Sequence, residues 1–140
     1  MEGVRVFSAS ADREGRRGLE IIWVMLENKH VDDTRYSEGD IQLISCMIAA
    51  CQTNYRSLRE LYPEKMLGIK IKGDEMYFYS FTMSEEYLKS LARGPPKSSI
   101  EVAKYPDKKG LRISDPKDRK ELLSYLWTMR QYSSTLKDEV

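Results

Sequence analysis

The chain has 140 residues, of which 41% are apolar and 32% are charged, a composition typical of one globular domain and unlike that of a disordered chain. Its 23 basic residues nearly balance its 22 acidic ones, so the net charge of +1 gives no overall attraction to nucleic acid and any basic surface must be local. A single histidine excludes zinc sites built from several histidines, and no segment has the pattern of a membrane span or a signal peptide.

Two strands are predicted at the start of the chain. Residues 4–10 alternate well enough for a strand, residues 12–18 carry two glycines among charges and predict a turn, and residues 19–29 form an apolar run typical of a strand buried on both faces. A turn centred near Gly15 would pair residue i with about residue 30 − i. Glu27 would then lie opposite about residue 3, and Asp12 would lie at the far end of the hairpin.

The second strand ends in a carboxylate and an ammonium, Glu27 and Lys29. Because residues i and i+2 of a strand project from the same face, the two side chains are expected to point the same way. A carboxylate can hold a hard divalent cation, and a neighbouring lysine can orient a water or neutralise charge that develops on a phosphate. The pair therefore suits phosphodiester cleavage, and a solvated ion pair at a strand end is the alternative.

A long helix is predicted to start at Ser37–Asp40 and to end before Pro63. Its expected apolar face recurs at steps of three and four, and comprises Ile41, Ile44, Ile48, Cys51, Tyr55 and Leu58. An adjoining stripe of small and amide side chains, which includes Gln42 and Gln52, is expected beside the strand end. Cys46 and Cys51 are predicted to be reduced core thiols, since a spacing of five puts them on different faces of the helix.

The second half of the chain predicts a hairpin, a short helix, a short strand and a terminal helix. Residues 66–72 and 75–82 flank a two-residue Gly73-Asp74 turn, and Ser84 is a good cap for a short helix that ends at Gly94. A short strand is expected within 100–105, and the terminal helix begins at Asp115-Pro116. The apolar residues of this helix fit an amphipathic pattern, and they are Leu122, Leu123, Leu126, Trp127 and Met129. No linker divides residues 1–140, so we expect a single α+β domain with a central mixed sheet flanked by helices.

Several short segments resemble those of a known superfamily. The E-x-K strand is followed by a helix that carries Gln42, and further similar segments are 37–42, 48–54, 68–73 and 76–79. In this order they resemble the PD-(D/E)xK, or restriction-endonuclease-like, nuclease domains found in large fungal families, including Crinkler-type proteins. The resemblance covers about residues 2–132. It implies a magnesium-dependent nuclease inside a eukaryotic cell, often in its nucleus. DNA is the favoured substrate, and the sequence leaves the choice between DNA and RNA open.

The resemblance also implies roles for individual residues. Glu27, Lys29 and Gln42 would be catalytic, and Glu27 would hold Mg²⁺ with a second carboxylate from the preceding strand. The predicted register excludes Asp12 and places Glu2 at the correct end. Alternatively, the second acid lies in an N-terminal segment that precedes Met1 in a longer native chain. If no second carboxylate reaches Glu27, the domain is an inactive nuclease-fold module that binds nucleic acid or a protein partner, or forms a homodimer.

Two groups of basic residues are candidates for contacts with phosphates. Arg13, Arg16 and Arg17 cluster in the predicted first turn, and Lys70 and Lys72 belong to the second hairpin. Solvated surface charge is the alternative explanation for both groups. The aromatic run 77–79 is predicted to pack in the core rather than to stack on bases.

Overall fold

The computed structural model describes residues 13–17, 20–28, 36–58, 65–95, 99–107 and 109–138. These residues form an α+β domain, as the sequence predicted. In chain order the elements are β1 (Arg13–Arg17), β2 (Glu20–Asn28), α1 (Tyr36–Leu58), β3 (Lys65–Lys72), β4 (Glu75–Thr82), α2 (Glu85–Arg93), β5 (Ala103–Tyr105), β6 (Leu111–Arg112) and α3 (Pro116–Asp138).

The strands form one mixed sheet. Its order is β1-β2-β3-β4-β5, with β6 paired to β4. Only β2 and β3 are parallel among the described pairs. Parallel neighbours need a crossover connection, and here that connection contains α1, which packs on one face of the sheet. The central mixed sheet of the prediction is therefore confirmed.

The predicted turn in the first hairpin is wrong. Gly15 lies within β1 and pairs with Trp23, and the chain reverses between Arg17 and Glu20. The glycine is needed for close packing rather than for a turn, because a Cβ at Gly15 would overlap the indole of Trp23. The predicted first strand, residues 4–10, lies outside the described residues.

The corrected register changes the position of the first strand along the second. Arg13 pairs with Met25, so the pairs sum to 37 or 38 instead of about 30. The start of β1 therefore lies near the end of β2. The argument that excluded Asp12 from the Glu27 end consequently fails, because Asp12 directly precedes Arg13.

An amide from α1 stabilises an irregularity in β2. Gly15 pairs with Trp23 and Arg16 with Ile21, which leaves Ile22 as an extra, bulged residue. Asn54 is fully buried; its Oδ1 accepts from the Ile21 N–H at 2.7 Å, and its Nδ2 donates to the Ile21 carbonyl at 2.8 Å. The pairs between β2 and β3 begin at Trp23, after Ile21, so β3 offers no partners to the N–H and carbonyl of Ile21. The side chain of Asn54 supplies these hydrogen bonds instead.

The main core lies between α1 and the sheet. From α1 it contains Leu43, Cys46, Met47, Ala50 and Cys51, packed on Val24, Leu26, Met66, Tyr77, Tyr79 and Phe81. The predicted apolar face of α1 was therefore rotated: Ile41 is 62% exposed, while Ile44 and Ile48 lie at the edge of the core. Both cysteines are buried, and neither forms a disulfide, as predicted.

A second, smaller core lies between α3 and the opposite face of the sheet. It contains Ile69, Met76, Phe78, Leu111 and Leu122, with Met25, Ile71, Tyr125 and Met129 packed against it. Three apolar residues of α3 that the sequence pattern grouped with Leu122 are exposed instead, namely Leu123, Leu126 and Trp127. The terminal helix is confirmed, but only part of its apolar pattern faces the protein.

The second hairpin and the short helix agree with the sequence. Gly73 has a φ of 62° in the turn between β3 and β4, a value that favours glycine. The hydroxyl of Ser84 accepts from the Tyr87 N–H at 3.1 Å and caps α2. Across the described residues, none of the helices combines the length and the apolarity needed to cross a membrane.

Candidate functional site

Glu27 lies at the carboxyl edge of the parallel strand pair. It pairs with Ile71 of β3, and it is exposed. Leu26 packs against α1, whereas Met25 packs in the core beneath α3, so the alternation of the strand directs Glu27 to the α3 face. A carboxylate at an open sheet edge is accessible to a metal ion or to a substrate.

The predicted partners of Glu27 are only partly within the described residues. Lys29 and Glu2 lie outside them. Gln42 is exposed on α1, the helix that covers the sheet face opposite to Glu27. The grouping of Glu27, Lys29, Glu2 and Gln42 into one site therefore stays a prediction. Because Gln42 and Glu27 lie on opposite faces of the sheet, the two side chains could meet only beyond the end of β2.

The corrected register brings the start of β1 close to Glu27. Arg13 opposes Met25, which is two residues before Glu27 on β2. Asp12 precedes Arg13 in the sequence but lies outside the described residues, so its proximity to Glu27 stays a prediction. The residues that the structure describes contain no group of three or more His, Cys, Asp or Glu residues that could hold a metal. The completion of a magnesium site at Glu27 by a second carboxylate therefore stays a prediction.

A buried ion cluster lies on the other face of the sheet, and the sequence did not predict it. Lys70 is 2% exposed and donates to Asp40 of α1, which also accepts from the Tyr79 hydroxyl and, at 2.9 Å, from Lys104. The interpretation of Lys70 as an exposed phosphate contact is wrong, because α1 covers it. Asp40, interpreted as part of the helix start, instead lies in the second turn of α1.

The charges in this cluster are matched by their surroundings. Burial alone would raise the pKa of Asp40, but the hydrogen bonds from Lys70, Tyr79 and Lys104 outweigh it and hold that pKa below its usual value. The ammonium of Lys70 also lies 4.6 Å from the ring centroid of Tyr77, and that of Lys104 lies 5.0 Å from it. The carboxylate of Asp40 and the tyrosine rings thus stabilise the ammonium groups of Lys70 and Lys104 together. The cluster connects α1 to β3, β4 and β5.

The remaining predicted phosphate contacts lie near the sheet edges. Arg13 and Arg16 are exposed on β1 rather than in a turn, and Arg16 pairs with Glu14 of its own strand at 2.5 Å. The side chain of Arg17 lies outside the described set, and Lys72 is half-buried near the end of β3. The aromatic run 77–79 is buried, as predicted.

An aromatic cleft opens between the sheet and the second half of α3. Its volume is about 300 Å³. Its floor contains the opposed pair Ser80 and Ala103, two small residues on adjacent strands. Its walls include Phe78, Tyr105, Tyr125, Met129 and Tyr132. The sequence pattern placed Phe78 in the core but did not indicate this opening, since it depends on how α3 packs.

The chain matches no protein-family model, no curated protein and no solved structure. Fold and site together define an α+β domain in which a parallel strand pair presents an exposed glutamate at its carboxyl edge, with an aromatic cleft on the same face of the sheet.

Proposed function

We propose that this protein is a metal-dependent phosphodiesterase that cleaves nucleic acid, with DNA as the favoured substrate, on a restriction-endonuclease-like core. The observation that carries the proposal is the register of β1 and β2. It brings Arg13, the first residue of β1, opposite Met25, two residues before Glu27 on β2, and Asp12 precedes Arg13 in the sequence. An acid on one strand and an E-x-K sequence on the next are the elements that the resemblance requires at one edge.

Each residue of this edge has a distinct proposed role. Glu27 and Asp12 would hold Mg²⁺, because paired carboxylates are the ligands that hard divalent cations prefer. The bound ion would polarise the phosphate and stabilise the charge that develops on it. Lys29 would orient the attacking water, and Gln42 would position that network from α1. Arg13 and Arg16, exposed on the neighbouring strand β1, would contact phosphates of the substrate.

Cleavage of plasmid DNA in the presence of magnesium tests this function. We expect Glu27→Gln to lower the rate by at least about 100-fold, because the metal contributes several kcal/mol to transition-state stabilisation. Glu86→Gln is the matched control, since Glu86 is an exposed glutamate on α2, and its rate should equal that of the parent protein. Cleavage that survives both Glu27→Gln and Lys29→Ala would remove this edge from the mechanism.

The alternative is a nuclease-fold module without activity, which would bind nucleic acid or a protein partner. It is favoured by the finding that the described residues supply only Glu27 at the proposed metal edge and contain no complete ligand group. Thermal unfolding with increasing magnesium separates the two, because saturation at 100 times the Kd adds about 2.7 kcal/mol to the free energy of unfolding. A melting temperature that does not respond to magnesium, together with intact DNA, would support the inactive module.

A further inference from the structure

The aromatic cleft exists because two small residues lie under the second half of α3. Phe78 and Tyr105 are paired across β4 and β5 and fill the space beneath Tyr125, with ring centroids 5.0 and 5.1 Å from the Tyr125 ring. The next pair along the same strands is Ser80 and Ala103, whose short side chains leave the space open. The opening is therefore encoded by the sequence of the strands and does not result from loose packing of the whole helix.

The rings that border the cleft are fixed in orientation. The hydroxyl of Tyr105 donates to Glu121 of α3, and that of Tyr132 donates to the carbonyl of Lys65 at 3.1 Å. Tyr125 is held between two stacked rings. A ligand would thus meet preorganised aromatic surfaces and would not have to order them.

The lining suits a planar ligand. It is mostly apolar and aromatic, none of the described residues that line it is an aspartate or a glutamate, and Lys65 is exposed at its border. The other lysine that lines it, Lys104, directs its ammonium to Asp40 on the opposite face of the sheet. The volume of about 300 Å³ is at the lower limit of small-molecule sites, so it suits a single ring system rather than a large ligand.

The cleft shares a sheet face with Glu27. Leu67 lines the cleft, and Ile71, the partner of Glu27, lies four residues further along β3. At about 3.3 Å per residue this separation is about 13 Å, a distance that a short single-stranded segment can span. Ile69, buried beneath α3, lies between these two positions, so a strand cut at Glu27 would pass around α3 to place a nearby base in the cleft.

We propose that the aromatic cleft binds one unpaired base of the nucleic-acid substrate and so positions the strand at Glu27. The choice of ligand rests on the proposed function. Base stacking on aromatic rings is tolerant of sequence, so the cleft would favour single-stranded over double-stranded ends without reading a particular base.

Binding can be measured without cleavage by NMR on protein labelled with ¹³C at the methionine methyl groups, in EDTA. The probe is a single-stranded trinucleotide, and an abasic trinucleotide of the same length is its control. We expect the base-containing probe to shift the methyl resonance of Met129, which lines the cleft, and the abasic probe to leave it unchanged.

Two variants should close the cleft from opposite sides. Ala103→Leu fills its floor, and Thr128→Leu fills it from an exposed position on α3 that tolerates leucine. Each should weaken binding of the base by about 5- to 150-fold, the range that corresponds to one base–aromatic stack. Ala92→Leu makes the same change as Ala103→Leu at an exposed position of α2 and should leave affinity unchanged.

Equal shifts with both trinucleotides, or full affinity in folded Ala103→Leu and Thr128→Leu proteins, would overturn the cleft proposal. Neither result would bear on cleavage, which is measured separately through Glu27→Gln. A free nucleoside that binds as tightly as the trinucleotide would also overturn it, since the cleft would then be a site for free nucleosides.

Discussion

The two faces of the sheet differ in how completely they are packed. On the α1 face, two polar side chains of α1 bond to the sheet: Asp40 joins Lys70, Lys104 and Tyr79, and Asn54 satisfies both backbone groups of Ile21. On the α3 face a smaller core leaves an open cleft and an exposed glutamate at the sheet edge. The α1 face therefore holds the fold together, and the α3 face is the one available for ligands.

This difference shows why similar residue types serve different purposes in one chain. Lys70 and Asp40 form a salt bridge in which the lysine side chain is only 3% exposed, so it stabilises the packing of helix on sheet. Glu27, by contrast, is exposed near the end of β2. Burial, rather than residue type, separates the structural charges from the candidate functional ones.

The largest effect should come from removing the charge that balances the buried lysine. Asp40→Asn leaves the ammonium of Lys70 inside the protein without its counter-charge, which should lower the free energy of unfolding by about 3 kcal/mol. Urea unfolding measures the loss. Lys89→Ala, which breaks the exposed pair with Glu85, is the control and should have little effect. Equal losses in the two variants would show that the cluster is not structural.

A smaller loss is expected from the amide that bonds the bulge in β2. Asn54→Ala leaves the N–H and carbonyl of Ile21 buried without partners, at a cost of about 2–3 kcal/mol in unfolding free energy. Asn54→Asp keeps an acceptor but loses the donor to the Ile21 carbonyl. Chemical denaturation of both variants, with Thr53→Ala as a neighbouring control, checks the assignment; a stable Asn54→Ala protein would contradict it.

Two adjacent leucines of α3 should behave differently. Leu122 is 3% exposed and Leu123 is 61% exposed. Leu122→Ala should therefore cost about 2 kcal/mol of unfolding free energy, and Leu123→Ala less than about 0.5 kcal/mol. The two denaturation midpoints decide this directly, and similar losses would mean that α3 packs in another rotation.

The weakest effect should be the response to acid. Because its partners hold the pKa of Asp40 below the usual value near 4, the unfolded chain takes up the proton first as the pH falls. The stability that Asp40 contributes is fully present above about pH 4 and is lost as the pH falls through the folded-state pKa. Unfolding curves between pH 7 and pH 2.5 should show a shallower acid loss in Asp40→Asn than in the parent protein. Parallel profiles would contradict the ion cluster.

Local sequence patterns predicted the elements that depend on local chemistry. The apolar run that became β2, the Gly73-Asp74 turn and the Ser84 cap each require particular residues at fixed positions, and each was recognised. The first hairpin was misplaced because Gly15 is needed for the indole of Trp23, a contact between strands that no local pattern indicates.

Contacts between distant elements could not be read from the sequence in the same way. The rotation of α1, which exposes Ile41 and buries Met47, follows from the fit of Met47 against Gly68 of β3. Lys70 and Met66 lie four residues apart on β3, so their side chains project from the same face of the sheet. Because Met66 is buried, this alternation could have indicated that Lys70 points inward. The aromatic cleft could not be predicted, because its existence depends on where α3 packs on the sheet.

The account depends most on the carboxylate that accompanies Glu27, and titration calorimetry with magnesium compares the two candidates directly. The proposed site predicts that Asp12→Asn abolishes magnesium binding, as Glu27→Gln does, and that Glu2→Gln binds like the parent protein. Unchanged binding in Asp12→Asn, or its loss in Glu2→Gln alone, would contradict the placement of the site at the start of β1.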